Sequence, residues 1–288
     1  MRCNSIREEL ILRGNEVQLI NHEVVEYAKY KGHWSQYPLD RHLGDYTVII
    51  DSYIVGVEWI SENLKTCKYS VVIDDFNRIT YPVDLIVNPN VFFKNLDYSN
   101  QHVNLIGGPE YILLRKCFRK QFHARIDENS ILITLGGSDY RNLLPVLVNI
   151  VLEETNLPII VVDPRNESDR IEGVQYLGFL NCNEMLQQYL SAKIVISAAG
   201  QTLHELASLK KKCIGICIDH DQVPNHNYYN HVGFIRGDIK WDSLMFEEKV
   251  KFEIQRLLSQ DVPKVEGNLV NQFGVENLIE YFEKYVEL

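Results

Sequence analysis

The sequence predicts an α/β protein made of two Rossmann-like halves, each on its own parallel sheet. Two observations carry this. Short runs rich in Val and Ile alternate with segments of helical periodicity, the pattern of βαβ units. Those runs also end in polar residues or glycines, where a parallel sheet places its ligand-binding loops. At 288 residues, the chain has the length of about two domains.

Ser5 is placed to cap a helix over residues 5–13, with Ile6, Glu9, Leu10 and Arg13 at helical spacing and Gly14 as the stop. The chain therefore opens directly in a helix. Residues 17–20 read as a short buried strand and 24–30 as a second helix. Apolar runs over 47–50, 71–73 and 85–87 then end at Asp51, at Asp74 with Asp75, and at Asn88, with a helical stretch over 58–65. The less regular stretch 91–127, with Gly107, Gly108 and Pro109, reads as the connection between halves. A second series follows, with strands over 131–135, 159–162, 194–197 and 213–218 and helices near 142–154, 183–190 and 203–209. Helices over 246–258 and 275–286 close the chain. The expected partition is 1–122, 123–274, and a final helix over 275–288 that packs back on the first half. A cleft between the halves is the expected binding site.

Composition narrows the function. Hydrophobic residues at 45% and charged ones at 24% are ordinary for a globular protein and exclude a disordered tail or a collagen-like fibre. No apolar run approaches the roughly 20 residues of a membrane helix. The N-terminus MRCNSIREEL lacks the apolar core of a signal peptide, so a cytoplasmic protein without a membrane partner is expected. The net charge of −10, from 29 Lys+Arg against 39 Asp+Glu, is ill suited to gripping nucleic acid. An anion has to be held locally, by backbone amides and helix N-termini. The six cysteines, at 3, 67, 117, 182, 213 and 217, form no C-x-x-C pair and read as buried thiols rather than disulfides or a zinc site.

Three loops carry candidate chemistry. In ILITLGGSDYRN a buried strand runs into Gly136, Gly137, Ser138 and Asp139 before a helix. Glycines let a backbone approach phosphate closely, although any strand-to-helix turn favours Gly, Ser and Asp. It is neither a G-x-G-x-x-G nor a Walker loop. In KIVISAAGQTLHEL, Thr202 and Glu205 have the spacing of a capping box. Alternatively, the loop amides hold a diphosphate while Glu205 accepts from ribose hydroxyls. In IDHDQVPNHNYYNHVGF, His226 and His231 are five apart and fall on different helix faces, so no metal ligand set is expected. Gln222 and Asn225 are the residues there available to bind hydroxyls, and His204 reads as a surface helix residue. Asp74 and Asp75 are strand-end residues that face opposite ways, which argues against a glycosidase pair.

The ordered set VIIDSY, VVIDDF, DLIVNPN, GGPEYILLR, ILITLGGSDYRN, YLGFL, ISAAGQTLHEL, DHDQVPN and NQFGVENLI resembles the UDP-2,4-diacetamido-2,4,6-trideoxy-β-L-altropyranose hydrolases of pseudaminic acid biosynthesis, across nearly the whole chain. Its second half is also similar to the UDP-sugar domain of GT-B glycosyltransferases. The resemblance implies a GT-B-like fold with UDP bound mainly by the second half. It puts Gly137 and Ser138 near the diphosphate with Gly200, Gln201 and Thr202 opposite, Glu205 on the ribose, and the backbone of Phe179 and Leu180 on uracil. Asp221 and Gln222 match a polar pair facing the sugar, and Tyr53 matches an active-site tyrosine. That family opens with a strand and a G-x-G-H-x-x-R-C-like turn whose histidine is the general base. Met1, Arg2 and Cys3 match only its tail, so the first strand and the histidine are expected before Met1.

On this reading, water attacks the anomeric carbon while UDP leaves from the opposite face. Amides and a helix dipole meet the growing charge, so no metal or other cofactor is required. Tyr53 orients water or sugar but is a weak base, with an ordinary pKa near 10; on its residues alone it reads equally as a buried aromatic at a strand end. The alternatives are a GT-B glycosyltransferase using a UDP-sugar donor, and a truncated UDP-binding protein without turnover.

Overall fold

Val71, Val72 and Ile73 alternate between two apolar layers, one on each face of a parallel sheet. A computed structural model of the chain describes residues 2–20, 43–119, 128–166, 168–259 and 269–286. The chain divides into two compact units, Met1–Lys116 together with Asn271–Leu288, and Cys117–Val270.

In the first unit, β1 (Thr47–Asp51), β2 (Tyr69–Ile73), β3 (Leu85–Asn88) and β4 (Asn104–Gly107) form one sheet in the order β1-β2-β3-β4, every pair parallel. Helix α1 (Arg2–Leu12) lays Ile6 and Leu10 on one face, and α2 (Val57–Leu64) lays Ile60 and Leu64 on the other. The first helix starts three residues before the expected cap. Ser5 lies inside it at 2% exposure, and its first turn is fastened by ion pairs of Arg2 instead. Gly14, at φ +89°, ends it. Residues 17–20 form no strand; Val17 packs against the core as irregular chain. The expected helix over 24–30 lies outside the described residues. Strand β4 falls inside the stretch expected to be a connection. Its Asn104 and Gly107 ends dilute the apolar signal, and pairing along β3 supplies what local sequence lacks.

The second unit carries β5 (Ser130–Thr134), α3 (Leu144–Glu154), β6 (Ile159–Val162), β7 (Gln175–Leu177), α4 (Cys182–Ser191), β8 (Ala192–Ala198), α5 (Gln201–Ser208), β9 (Cys213–Cys217), α6 (Val223–His231), β10 (Ile239–Lys240) and α7 (Phe246–Ser259). Its sheet has the order β10-β9-β8-β5-β6-β7 and is parallel throughout. The chain runs outward from β5 through β6 to β7, then returns to β8 and runs the other way. The order reverses between β5 and β8, and such a switch point opens a crevice at the strand carboxyl ends. Short β7 and β10 had no readable signal; each exists by pairing with a longer neighbour.

Two local expectations are corrected here. Gly200 is the N-cap of α5, without a side-chain cap bond, and Thr202 is already helical, so the box with Glu205 is not made. A capping box forms instead at α4, between Asn181 and Glu184. The reading of all six cysteines as thiols also fails: Cys117 and Cys182 are disulfide-bonded, with Cα atoms 6.0 Å apart across 65 residues of sequence. Spacing alone could not reveal a pairing that depends on where the fold brings the start of α4.

The last helix, α8 (Gly274–Tyr285), belongs to the first unit and buries Leu278 and Phe282 against α1 and the sheet. Gly274 is required there, because a Cβ would sit 2.2 Å from the carbonyl oxygen of Ile112. Among the described residues, no helix is long and apolar enough to cross a membrane.

Gly274→Ala is expected to lower stability by about 1–3 kcal/mol or more through overpacking, read as a drop in urea midpoint. Thiol titration of the denatured protein should count four free cysteines (3, 67, 213 and 217) before reduction. A count of six would show the Cys117–Cys182 bond absent.

Candidate functional site

In the second unit the two glycine-bearing turns meet the switch point. Gly136, at φ +89°, turns the chain after β5, and nothing lies within 4 Å of a Cβ built on Gly137. The backbone there is open to a ligand. Asp139 is committed to the fold, accepting from the amides of Leu143 at 2.8 Å and Leu144 at 2.7 Å to start α3. Gly200 follows β8 as the N-cap of α5 and brings no side-chain cap bond to its first turn, an arrangement that suits an anion.

Gln222 ties the next loop in. Its Oε1 accepts from the amides of Ala199 and Ile218, both at 3.2 Å. That leaves its Nε2 as the outward donor, 3.7 Å from where a Cβ on Gly200 would lie. Tyr140 and Arg141 then cross from the β5 loop to the β9 loop. The Tyr140 hydroxyl donates to Asp219 and the Arg141 Nε to the carbonyl of Ile218. The Tyr140 bond, then that from the His220 amide, hold the Asp219 carboxyl below its usual range. Arg141 also lies 4.1 Å over the ring of Trp241. Three strand-end loops are thus joined into one rim. Sequence reasoning quoted Tyr140, Arg141 and Asp219 within motifs but assigned the first two no role; their only signal was position directly after the glycine turn.

The other candidates separate. Glu205 is buried one turn into α5, while Gln201 and Thr202 are half-buried in its first turn. Asp221 is exposed on the β9 loop. Phe179 is 79% exposed and Leu180 half-buried in the loop before α4. His204 is not on the surface: it is 1% exposed, with Nδ1 2.7 Å from the Tyr229 hydroxyl. Asn225 is buried in the packed face of α6 rather than presented to hydroxyls. His226 is buried as well, which lowers its pKa, and His231 is exposed.

The first unit gathers a second cluster at the carboxyl ends of β1 and β2. Arg2 reaches Asp51 through Nε at 3.1 Å and Nη2 at 2.6 Å, and Asp75 through Nη1 at 2.5 Å. Asp75 also accepts from Asn90 at 2.6 Å and from the Tyr53 hydroxyl. Burial by itself pushes the Asp75 carboxyl up. The Arg2 charge, with the bonds from Arg2, Tyr53 and Asn90, outweighs it and holds the group below the usual carboxylate range. Burial and the Asp75 charge both push the Tyr53 hydroxyl up, so it keeps its proton. Tyr53 is no buried aromatic: it is 58% exposed, with its hydroxyl tucked inward. Burial pushes the Cys3 thiol up to about 12, so it is no nucleophile.

Asp74 turns away from Asp75, as adjacent residues at a strand end should. It accepts from Tyr81 at 2.6 Å, from the Asn77 amide at 2.7 Å, and from Tyr98. Asn88 links the two networks, donating to the Asp75 carbonyl and the Tyr98 hydroxyl. A cavity of about 130 Å³ opens between them, lined by Arg2, Asp51, Tyr53, Ile73, Phe76 and Tyr81 among others. Among the described residues, no group of three His, Cys, Asp or Glu side chains is placed to hold a metal.

No family model matches the chain. A relative from Helicobacter pylori, the pseudaminic acid cytidylyltransferase and UDP-2,4-diacetamido-2,4,6-trideoxy-beta-L-altropyranose hydrolase, is 28% identical over 110 residues. That match covers 38% of this chain and 21% of the relative, so the chain spans about a fifth of that protein's length. Among solved structures, Arabidopsis thaliana UGT89C1 complexed with quercetin aligns with a TM-score of 0.61 at 11% identity, over 99% of this chain and 91% of that one. Acinetobacter baumannii MurG aligns with a TM-score of 0.60 at 12% identity, over 98% and 95%. The fold is of the GT-B type. In that GT-B frame, the glycine turns occupy the switch point of the second Rossmann-like unit, and the Arg2 cluster the strand ends of the first.

Arg2→Met leaves Asp75 buried without its cation, and stability is expected to fall by about 3–5 kcal/mol. The folded-state pKa of Asp75 is depressed. Its contribution is therefore complete above the unfolded value near 3.9 and lost as pH falls through the folded one. Removing Arg2 removes that depression, so Asp75 no longer adds to the loss of stability in acid, and the fall below about pH 4 in a urea-stability profile should become shallower than in the parent. An acid fall of unchanged size would show that Arg2 does not govern Asp75.

Proposed function

We propose that the chain is a UDP-sugar-processing enzyme. More narrowly, we propose a hydrolase that releases UDP from UDP-2,4-diacetamido-2,4,6-trideoxy-β-L-altropyranose, in pseudaminic acid biosynthesis. The observation that carries the nucleotide part is the pair of open glycine turns at the β5/β8 switch point. The Helicobacter pylori relative, named for this hydrolysis, supports the substrate.

In this reading the second unit takes UDP and the first takes the sugar. Gly137 and Ser138 approach the diphosphate from the β5 turn, and Gly200, Gln201 and Thr202 from the β8 turn. Glu205 takes the ribose, the backbone at Phe179 and Leu180 meets uracil, and Asp221 and Gln222 face the sugar. Gln222 suits that role as a donor, because its oxygen is already used by two backbone amides. UDP is a good leaving group. Its growing charge is met by loop amides and the N-terminal end of α5, which act as preorganised dipoles.

Water attacks the anomeric carbon opposite the departing UDP and inverts it. Taking its proton is worth about 10²–10⁴-fold in rate. Within the Arg2 cluster, Asp75 is held too acidic for that task at neutral pH, and Tyr53 keeps its own proton. Tyr53 accordingly positions water or sugar, and the proton passes to a group outside this cluster.

The purified chain is expected to release UDP from the diacetamido sugar with no acceptor added, followed by coupled detection of UDP. Release only on addition of an acceptor would make it a transferase; tight UDP binding without turnover would leave a binding protein. Gly137→Ala has room for its methyl in the fold. It should leave the melting temperature in place while weakening UDP about tenfold, or roughly 1.4 kcal/mol. Unchanged UDP affinity would move the diphosphate away from that turn.

A further inference from the structure

We infer that the cavity at the carboxyl ends of β1 and β2 is a subsite for an acetamido substituent, whose N–H is donated to the Tyr53 and Asp51 oxygens and whose methyl enters the cavity. The inference rests on the reading of a diacetamido sugar as substrate.

The argument begins with the proton on Tyr53. Asp75 is ionised and can only accept, so the bond between them uses the one proton the phenol has. What Tyr53 presents outward is therefore a lone pair. The Asp51 carboxylate beside it likewise offers only acceptors. A ligand group that meets these two oxygens has to donate a hydrogen bond. The lining also brings in the side chains of Ile73, Phe76 and Tyr81, beside Ser52, Asp74 and Arg78. The cavity of about 130 Å³ has room for roughly four water-sized groups, close to the size of an acetamido group.

Charge excludes other ligands. Three carboxylates, Asp51, Asp74 and Asp75, line the space with two guanidinium groups, Arg2 and Arg78, so the balance of charge disfavours a phosphate or carboxylate. Arg2 already balances Asp51 and Asp75, which removes most of the attraction for an ammonium. A hydroxyl donates its proton but leaves the apolar part of the lining unfilled. A secondary amide supplies the N–H, the methyl and a carbonyl together. Arg2 has five N–H donors and makes three bonds to the two carboxylates, so its fork can also serve the amide carbonyl.

The test is a binding titration followed by NMR, in the presence of UDP, with the methyl glycoside of the 2,4-diacetamido-2,4,6-trideoxy sugar. Each acetamido group is replaced in turn by O-acetyl, which keeps the shape and removes the N–H, and by a free amine. At one of the two positions, the O-acetyl swap is expected to weaken binding by roughly tenfold or more. In Tyr53→Phe, where the acceptor oxygen is gone, the same swap should cost clearly less. The ring is exposed, so this variant keeps its fold. Equal binding of N-acetyl and O-acetyl sugars, a free amine that binds as well, or no binding of the diacetamido sugar would each overturn the inference. Acetamido discrimination without UDP release would sink the hydrolase reading and leave the subsite standing.

Discussion

Every strand in each unit runs parallel to its neighbours, and the rest of the architecture follows from that constraint. Parallel strands require a crossover between each pair, so helices cover both faces and the sheets become apolar through and through. The loops that leave the carboxyl ends of the strands then gather along one edge. In the second unit, reversal of strand order between β5 and β8 parts two of those loops, and both parted loops carry glycine. In the first unit the same edge collects Asp51 and the Asp74–Asp75 pair. Candidate chemistry sits at these edges because parallel sheets leave it few other places.

Arg2 shows how one side chain ties helix, sheet and site together. A buried guanidinium between carboxylates is a weak source of net stability, since desolvation offsets most of the attraction. It is a strong source of position. The first turn of α1 is held on the ends of β1 and β2, and the same charge keeps Asp75 ionised to anchor Tyr53. An exposed tyrosine ring ordinarily swings freely; here its hydroxyl is held by a buried anion. Local order and ligand chemistry at this edge therefore share a cause.

Strand ends were legible in the sequence wherever an apolar run stops at a distinctive residue. Asp51 closes β1, Asp74 follows β2, and Gly136 lies just beyond β5. Long helices were legible too, since α3, α7 and α8 carry full apolar stripes. What escaped depended on partners distant in the chain. Strands β4, β7 and β10 are short and borrow their pairing from neighbours. Ser5 and Thr202 have the right chemistry for caps, but Arg2 and Gly200 start those helices three and two residues earlier. Arg2 lies 49 and 73 residues from its carboxylate partners, and His204 looks like a surface residue until Tyr229 closes over it. Of the candidate site, the glycine turns could be read directly. The rim made by Tyr140, Arg141 and Trp241 could not, because it exists only once three loops converge.

The Cys117–Cys182 bond has a topological consequence. It closes a covalent ring through β5, α3, β6 and β7, and the ring ends at the first residue of α4. The arm of the sheet made by β8, β9 and β10 lies outside that ring. The bond therefore divides the second sheet at the same line where its strand order reverses. A peptide bond cut inside the ring would leave both pieces on one molecule, whereas a cut beyond it would release the outer arm as a separate fragment. The glycine turn after β5 lies within the closed ring, and the one after β8 lies on the open chain.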